Sequence, residues 1–129
     1  MTEVLDVQGL SVVIRRSHGM APILDDVSLS LAKGEVLGIV GESGSGKTML
    51  ALAIMGLLPT AMQLSARRIR FQGRDLDPAA PAFWRSQRGR GMAMIFQEPM
   101  TALNLVMRVG AQIREVLSWR LGLSGRAAD

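Results

Sequence analysis

Eight consecutive residues, Gly41-Glu42-Ser43-Gly44-Ser45-Gly46-Lys47-Thr48, constrain this chain more than any other stretch. They match the spacing G-x-x-x-x-G-K-[ST] in full, with a further glycine at position 44. Just before them, Val36-Leu37-Gly38-Ile39-Val40 runs apolar without alternation, which predicts a central strand buried on both faces. After them, Gly46 to Leu58 is rich in Ala, Leu and Met and meets no breaker until Gly56. That stretch predicts a helix apolar nearly all round, hence buried. A glycine loop between such a strand and such a helix has one strong chemical reading. Glycine lets the backbone curl tightly enough to aim successive N–H groups at one point. The helix N-terminus adds its unpaired N–H groups and the positive end of its dipole. Lys47 supplies a point charge toward the β- and γ-phosphates of a nucleotide, and the Thr48 hydroxyl is a ligand for Mg²⁺. The pattern is that of a phosphate-binding loop.

Composition removes most competing chemistries. A chain of 129 residues fits one domain, and an apolar share of 48% is enough to build a core. With no cysteine there is no disulfide scaffold, thiolate metal site or cysteine nucleophile. A lone histidine, His18, makes neither a multi-histidine zinc centre nor a triad. The longest apolar run, Thr48 to Leu58, stops at Pro59 and is too short to span a bilayer. The acidic start, Met1-Thr2-Glu3-Val4-Leu5-Asp6, is wrong for a secretory signal. These features predict a soluble, cytoplasmic protein. Charge is uneven: four basic against six acidic side chains in residues 1–64, then seven against two in residues 65–90.

Elsewhere the chain reads as follows. Val4 to Arg15 predicts an interrupted strand, Arg15 to Pro22 a loop, and Leu24 to Ala32 a strand with Val27, Leu29 and Leu31 on one face and Ser28 and Ser30 on the other. Lys33-Gly34-Glu35 is a turn. Residues 59–90 are punctuated by Pro59, Pro78 and Pro81, and only Ile69-Arg70-Phe71 looks like a strand. Met92 to Phe96 predicts another short buried strand. Val109, Ile113, Val116, Leu117 and Leu121 recur at helical spacing. The order of elements predicts an α/β protein with β elements inserted.

The stretch from Val27-Ser28-Leu29 through Gly34-Glu35-Val36 to Lys47-Thr48 resembles the ATP-binding subunits of ABC transporters. More narrowly, it resembles the subfamily that energises di- and oligopeptide and nickel import in bacteria. Ile69 to Leu76, the block Met92-Ala93-Met94-Ile95-Phe96-Gln97-Glu98-Pro99-Met100-Thr101-Ala102-Leu103-Asn104, and Val109 to Leu117 are similar to later pieces of that family, in order. The resemblance implies a partial P-loop NTPase (RecA-like) core with an inserted antiparallel β subdomain, residues 1–129 being the N-terminal part of the ATP-binding domain. It makes residues 41–48 the Walker A loop and residues 97–105 or so the Q-loop. It implies ATP and Mg²⁺ as cofactors: Gly41, Glu42, Ser43, Gly44, Ser45, Gly46, Lys47 and Thr48 on the phosphates, Thr48 and Gln97 on the metal, Lys47 and Gln97 as catalytic residues. A neutral glutamine at a strand end offers its amide oxygen to Mg²⁺ or holds a water near the γ-phosphate without adding charge. Implied partners are transmembrane permease subunits through the Q-loop region and a second ATP-binding subunit. The implied place is the cytoplasmic face of the inner membrane, with no transmembrane segment in this chain.

Two departures accompany the resemblance. Ile14 stands where the family usually has an aromatic residue under adenine, so it offers packing but no π-stacking. Leu105 stands where the family tends to have proline. The family's later signature, its strand-end acidic pair and its switch histidine have no counterpart up to Asp129. A truncated product or gene fragment is therefore expected, with weak ATP–Mg²⁺ binding, little turnover and marginal stability.

Two other function classes fit single features. Glu98, after an apolar run, parses as the Walker B-like carboxylate of a compact P-loop kinase or GTPase. Arg67, Arg68, Arg70, Arg74, Arg85, Arg88 and Arg90, interleaved with Phe71, Phe83 and Trp84, parse as a nucleic-acid surface. The favoured reading of that basic segment is a solvated face of a β subdomain, with no nucleic acid as partner.

Overall fold

The structure is a computed structural model that describes residues 3–78, 80–98 and 103–123. Its first unit, Met1–Ser86, is organised by one long strand, β1 (Glu3–Arg16). β1 pairs along its length with β2 (Gly19–Ala32) through a tight turn at Ser17 and His18. Its other edge takes β3 (Met62–Ser65) beside Ser11–Ile14 and β4 (Arg68–Phe71) beside Leu5–Gln8, and β4 pairs in turn with β5 (Arg74–Asp75). Every one of these pairings is antiparallel.

Strict alternation would not place Val7, Leu10 and Val12 on one face, yet all three are buried. The register slips between Val7 and Leu10, where Gly9 adopts a left-handed φ of 60°. It slips again opposite, where Leu10 pairs with Val27 and Val12 with Leu24. The extra residues form bulges that reset the parity of each strand. Asp26, at φ 48°, has its N–H bonded to Ser11 Oγ at 3.0 Å. Arg67 ion-pairs with Asp26 at 3.0 Å, its guanidinium lying 2.7 Å from where a Cβ on Gly9 would stand. The resulting core face carries Val7, Leu10, Val12, Leu24, Ile69 and Phe71.

Helix α1 (Lys47–Ile54) contributes Leu50 and Ala53 to the core and lies against β2. It ends sooner than the apolar run predicted. Gly56 takes φ 63°, Leu57 N–H bonds to Leu52 C=O at 2.8 Å and Gly56 N–H to Ala53 C=O at 3.1 Å. This bond pair closes a Schellman motif and stops the helix. Helix α2 (Pro81–Gln87) buries Trp84 against Gly56.

Two expected strands do not form. Val36–Val40 has no strand partner among the described residues, and Val36 and Val40 are 94% and 95% exposed. Met92–Phe96 is likewise unpaired apart from one bridge from Met92 to Arg88, and Ile95 is 94% exposed. Among the described residues the named strands pair only antiparallel, in one sheet, and neither apolar run joins it. An apolar run becomes a strand only where neighbouring strands accept its N–H and C=O groups. β3, β5 and α2 were not foreseen, being short and without a strong apolar period, and the Arg15–Pro22 loop is tighter than expected.

The basic segment resolves into a folded surface. Arg68 Nη2 and Gln8 Nε2 donate to the buried carboxylate of Asp6, and Arg70 grips Asp75 with Nε–Oδ1 at 2.9 Å and Nη2–Oδ2 at 3.3 Å. Phe71 and Trp84 are buried, so neither offers a ring face to a base; nothing is described of the Phe83 side chain. The hydrogen bond from Arg70 holds the Asp75 carboxyl below its ordinary value of 3.8. A carboxyl depressed by folding contributes stability above its unfolded value and loses it as pH falls through the folded one. Unfolding midpoints of the chain and of Asp75→Asn should thus differ slightly near neutrality and converge in acid, at about pH 2. Both side chains are exposed, so salt should shrink the difference. A gap that persists in acid would show that the pair contributes nothing through charge.

In the second unit, Gln87–Asp129, helix α3 (Val109–Leu121) forms as its periodicity predicted and ends at Gly122, φ 67°. Ahead of it, Gln112 Nε2 donates to the carbonyls of Asn104 (2.9 Å) and Met107 (3.0 Å), while its Oε1 accepts from Asn104 N–H at 3.0 Å. No helix of the described residues is long and apolar enough to cross a membrane.

Candidate functional site

The glycine loop leads from Glu42 into α1 through Gly44 (φ 81°) and Gly46 (φ 93°), both left-handed. At Gly46 the constraint is double. The backbone angle disfavours any Cβ, and one built there would stand 2.6 Å from Leu24 Cδ2 of β2. Gly46→Ala should therefore destabilise the chain by about 1–3 kcal/mol and disturb the loop, read by urea unfolding; an unchanged midpoint would show that Leu24 moves aside without cost.

Lys47 lies over the loop. Its ammonium donates to Gly41 C=O at 2.7 Å, Glu42 C=O at 2.6 Å and Ser45 Oγ at 3.1 Å. The loop is closed further by Ser45 N–H to Glu42 C=O at 3.2 Å, and the first helical bond runs from Leu50 N–H to Gly46 C=O at 2.8 Å. The first turn of α1 has no acidic residue and no side-chain cap. Its leading N–H groups and dipole end are left for an anion.

A cavity of about 210 Å³ opens at this point, lined by Ile23, Gly44, Gly46, Lys47, Thr48 and Met49. That is smaller than a typical pocket for a whole small molecule, about 300–1,000 Å³, and suits the phosphate end of one. Thr48 is exposed there and lines the cavity. Ile23 is a lining residue that the sequence reading missed, because an isoleucine on a strand carries no motif. Ile14 sits elsewhere on β1, half-buried and paired with Ala21 and Met62, and is not in the lining.

Gln97 lies in the second unit, exposed at a bend, and Glu98 follows it with its own partner. Within the expected Q-loop, Pro99, Met100, Thr101 and Ala102 lie outside the described residues. Among the described residues no three His, Asp or Glu side chains converge on a metal position.

Against known families, the profile of the ABC transporter family matches residues 24–124. The chain belongs to the ABC transporter family. The matched span takes in the loop, α1, the β3–β5 segment and most of the second unit. Among relatives of this family, the chain is 44% identical over 126 residues to the probable D,D-dipeptide transport ATP-binding protein DdpD of Escherichia coli (strain K12), covering 97% of this chain and 38% of the relative. It is 42% identical over 129 residues to the oligopeptide transport ATP-binding protein OppD of Bacillus subtilis (strain 168), covering 99% and 36%. It is 44% identical over 123 residues to the dipeptide transport ATP-binding protein DppD of Haemophilus influenzae, covering 95% and 37%. The chain thus spans somewhat more than a third of the length of these relatives.

Proposed function

We propose that this chain binds ATP through its triphosphate, as the nucleotide-gripping part of an ATP-binding subunit that powers peptide import. The observation that carries this reading is the loop Gly41–Thr48, with Lys47 folded over it and the free end of α1 opening beside it. Residues 1–129 then form the N-terminal part of that subunit's ATP-binding domain. The names of the relatives favour peptide over nickel as the transported solute.

The donor set suits ATP carried with Mg²⁺. Magnesium keeps several waters and takes one or two protein groups plus phosphate oxygens rather than a carboxylate cage. The Thr48 hydroxyl in the lining is such a group, and Gln97 is our second candidate. Bound Mg²⁺ would neutralise charge that builds on the phosphates. The residues of the chain do the rest. Lys47 bonds the outer phosphates, the N–H groups from Gly44 to Thr48 hold the oxygens between them, and Gln97 orients a water. Ile23 supplies apolar surface beside the phosphates, and Ile14, outside that lining, is our candidate for packing against the base. The Q-loop region from Gln97 onward is proposed to meet the permease subunits, and a second ATP-binding subunit to face the loop, at the cytoplasmic side of the inner membrane.

Calorimetric titration tests this reading. Magnesium–ATP should bind, GTP should compete more weakly, and Gln97→Ala should reduce the gain in affinity that Mg²⁺ confers while Glu98→Ala leaves it unchanged. Preference for GTP, or dependence on Glu98 in place of Gln97, would overturn it.

A further inference from the structure

We propose that the Ser45 hydroxyl is a latch on Lys47, holding back an ammonium proton that an incoming phosphate oxygen must draw away. The proposal rests on the phosphate-site reading above and adds a positioning residue to it. An ammonium has three donors, and in Lys47 all three point at loop acceptors: Gly41 C=O, Glu42 C=O and Ser45 Oγ. With three acceptors already engaged, no donor is left over for a ligand in the cavity that Lys47 helps to line.

The three bonds are unequal. Those to the carbonyls are 2.7 and 2.6 Å, whereas that to the hydroxyl is 3.1 Å. The carbonyls belong to the backbone and stay with the loop, while the hydroxyl turns on a single side-chain bond. Ser45 is therefore the acceptor that gives way. It is also not a lining residue of the cavity. Its Oγ lies 2.7 Å from where a Cβ on Gly41 would stand, on the side of the loop's first residue. The Ser45 hydroxyl, as distinct from its backbone N–H, thus acts on a phosphate only through Lys47. A charged phosphate oxygen is a stronger acceptor for an ammonium than a neutral hydroxyl, so the exchange proceeds, but breaking the latch subtracts from the affinity.

The test uses the full 129-residue chain and two probes, magnesium–ATP and tripolyphosphate, which has no base. Ser45 is exposed, so its variants should fold. Ser45→Ala is expected to bind both probes about two- to tenfold more tightly, the range of one ordinary hydrogen bond. Ser45→Thr keeps the hydroxyl and should bind like the parent. In ¹⁵N-detected spectra the Lys47 ammonium protons should exchange with water faster in Ser45→Ala than in Ser45→Thr, a change that a merely structural serine would not produce. Equal or weaker binding by Ser45→Ala, while Lys47→Ala loses binding, would overturn the latch and leave the phosphate site standing. Parental affinity in Lys47→Ala would overturn the site itself, and the latch with it.

Discussion

Lys47→Ala is expected to weaken binding of magnesium–ATP by about ten- to a hundredfold, with little change in unfolding midpoint. Hydrogen bonds to charged groups contribute about 1.5–3 kcal/mol each, and the ammonium is the loop's one cationic side chain. Its removal also frees the carbonyls of Gly41 and Glu42, which now converge on it at 2.7 and 2.6 Å. The loop loses the charge that attracts the phosphates and the tie that keeps it curled. Stability should hold because Lys47 is not part of the buried core. Calorimetry at two salt concentrations is the check, and the parent's affinity should fall more steeply with salt than the variant's. Undiminished binding by Lys47→Ala would remove the functional reading altogether.

Leu10→Ala should have the largest effect on folding, a loss of about 2–5 kcal/mol. Leu10 is fully buried, and it reaches the core only because the Gly9 bulge turns it inward opposite Val27. Truncation leaves a void in the core face that also carries Val7, Val12 and Ile69, each at most 1% exposed. Against a total stability of roughly 5–15 kcal/mol for an ordinary domain, that loss is a large fraction and should move the unfolding midpoint well down. Leu105→Ala is the control: Leu105 is 82% exposed, and such a change should stay within about 0.5 kcal/mol. Urea unfolding of both variants measures the contrast. A loss below that of Leu105→Ala would show that the hairpin core is not what holds the first unit together.

How far each feature could be read from residues alone depended on the range of the forces that make it. The glycine loop was legible because its requirements are local: glycines where φ turns positive at positions 44 and 46, a lysine long enough to reach back across six residues, and a helix beginning at once. The β2 alternation and the α3 period were legible for the same reason. The early stop of α1 was written in Gly56, the first breaker of the run, but the helix was expected to reach Leu58; the left-handed angle at Gly56 and the Leu57–Leu52 bond end it sooner. Ile23 was invisible, since a wall of a cavity is defined by what stands across from it.

Sequence by itself determined the two strands on either side of the Ser17–His18 turn, the period of α3 and the membership of the ABC transporter family, because each rests on near neighbours in the chain or on an ordered set of motifs. Tertiary structure alone decided which apolar runs become strands. Val36–Val40 and Met92–Phe96 have every local qualification, yet they stay exposed and unpaired among the described residues. A strand's hydrogen bonds are made with another segment, so no property of its own residues can guarantee them.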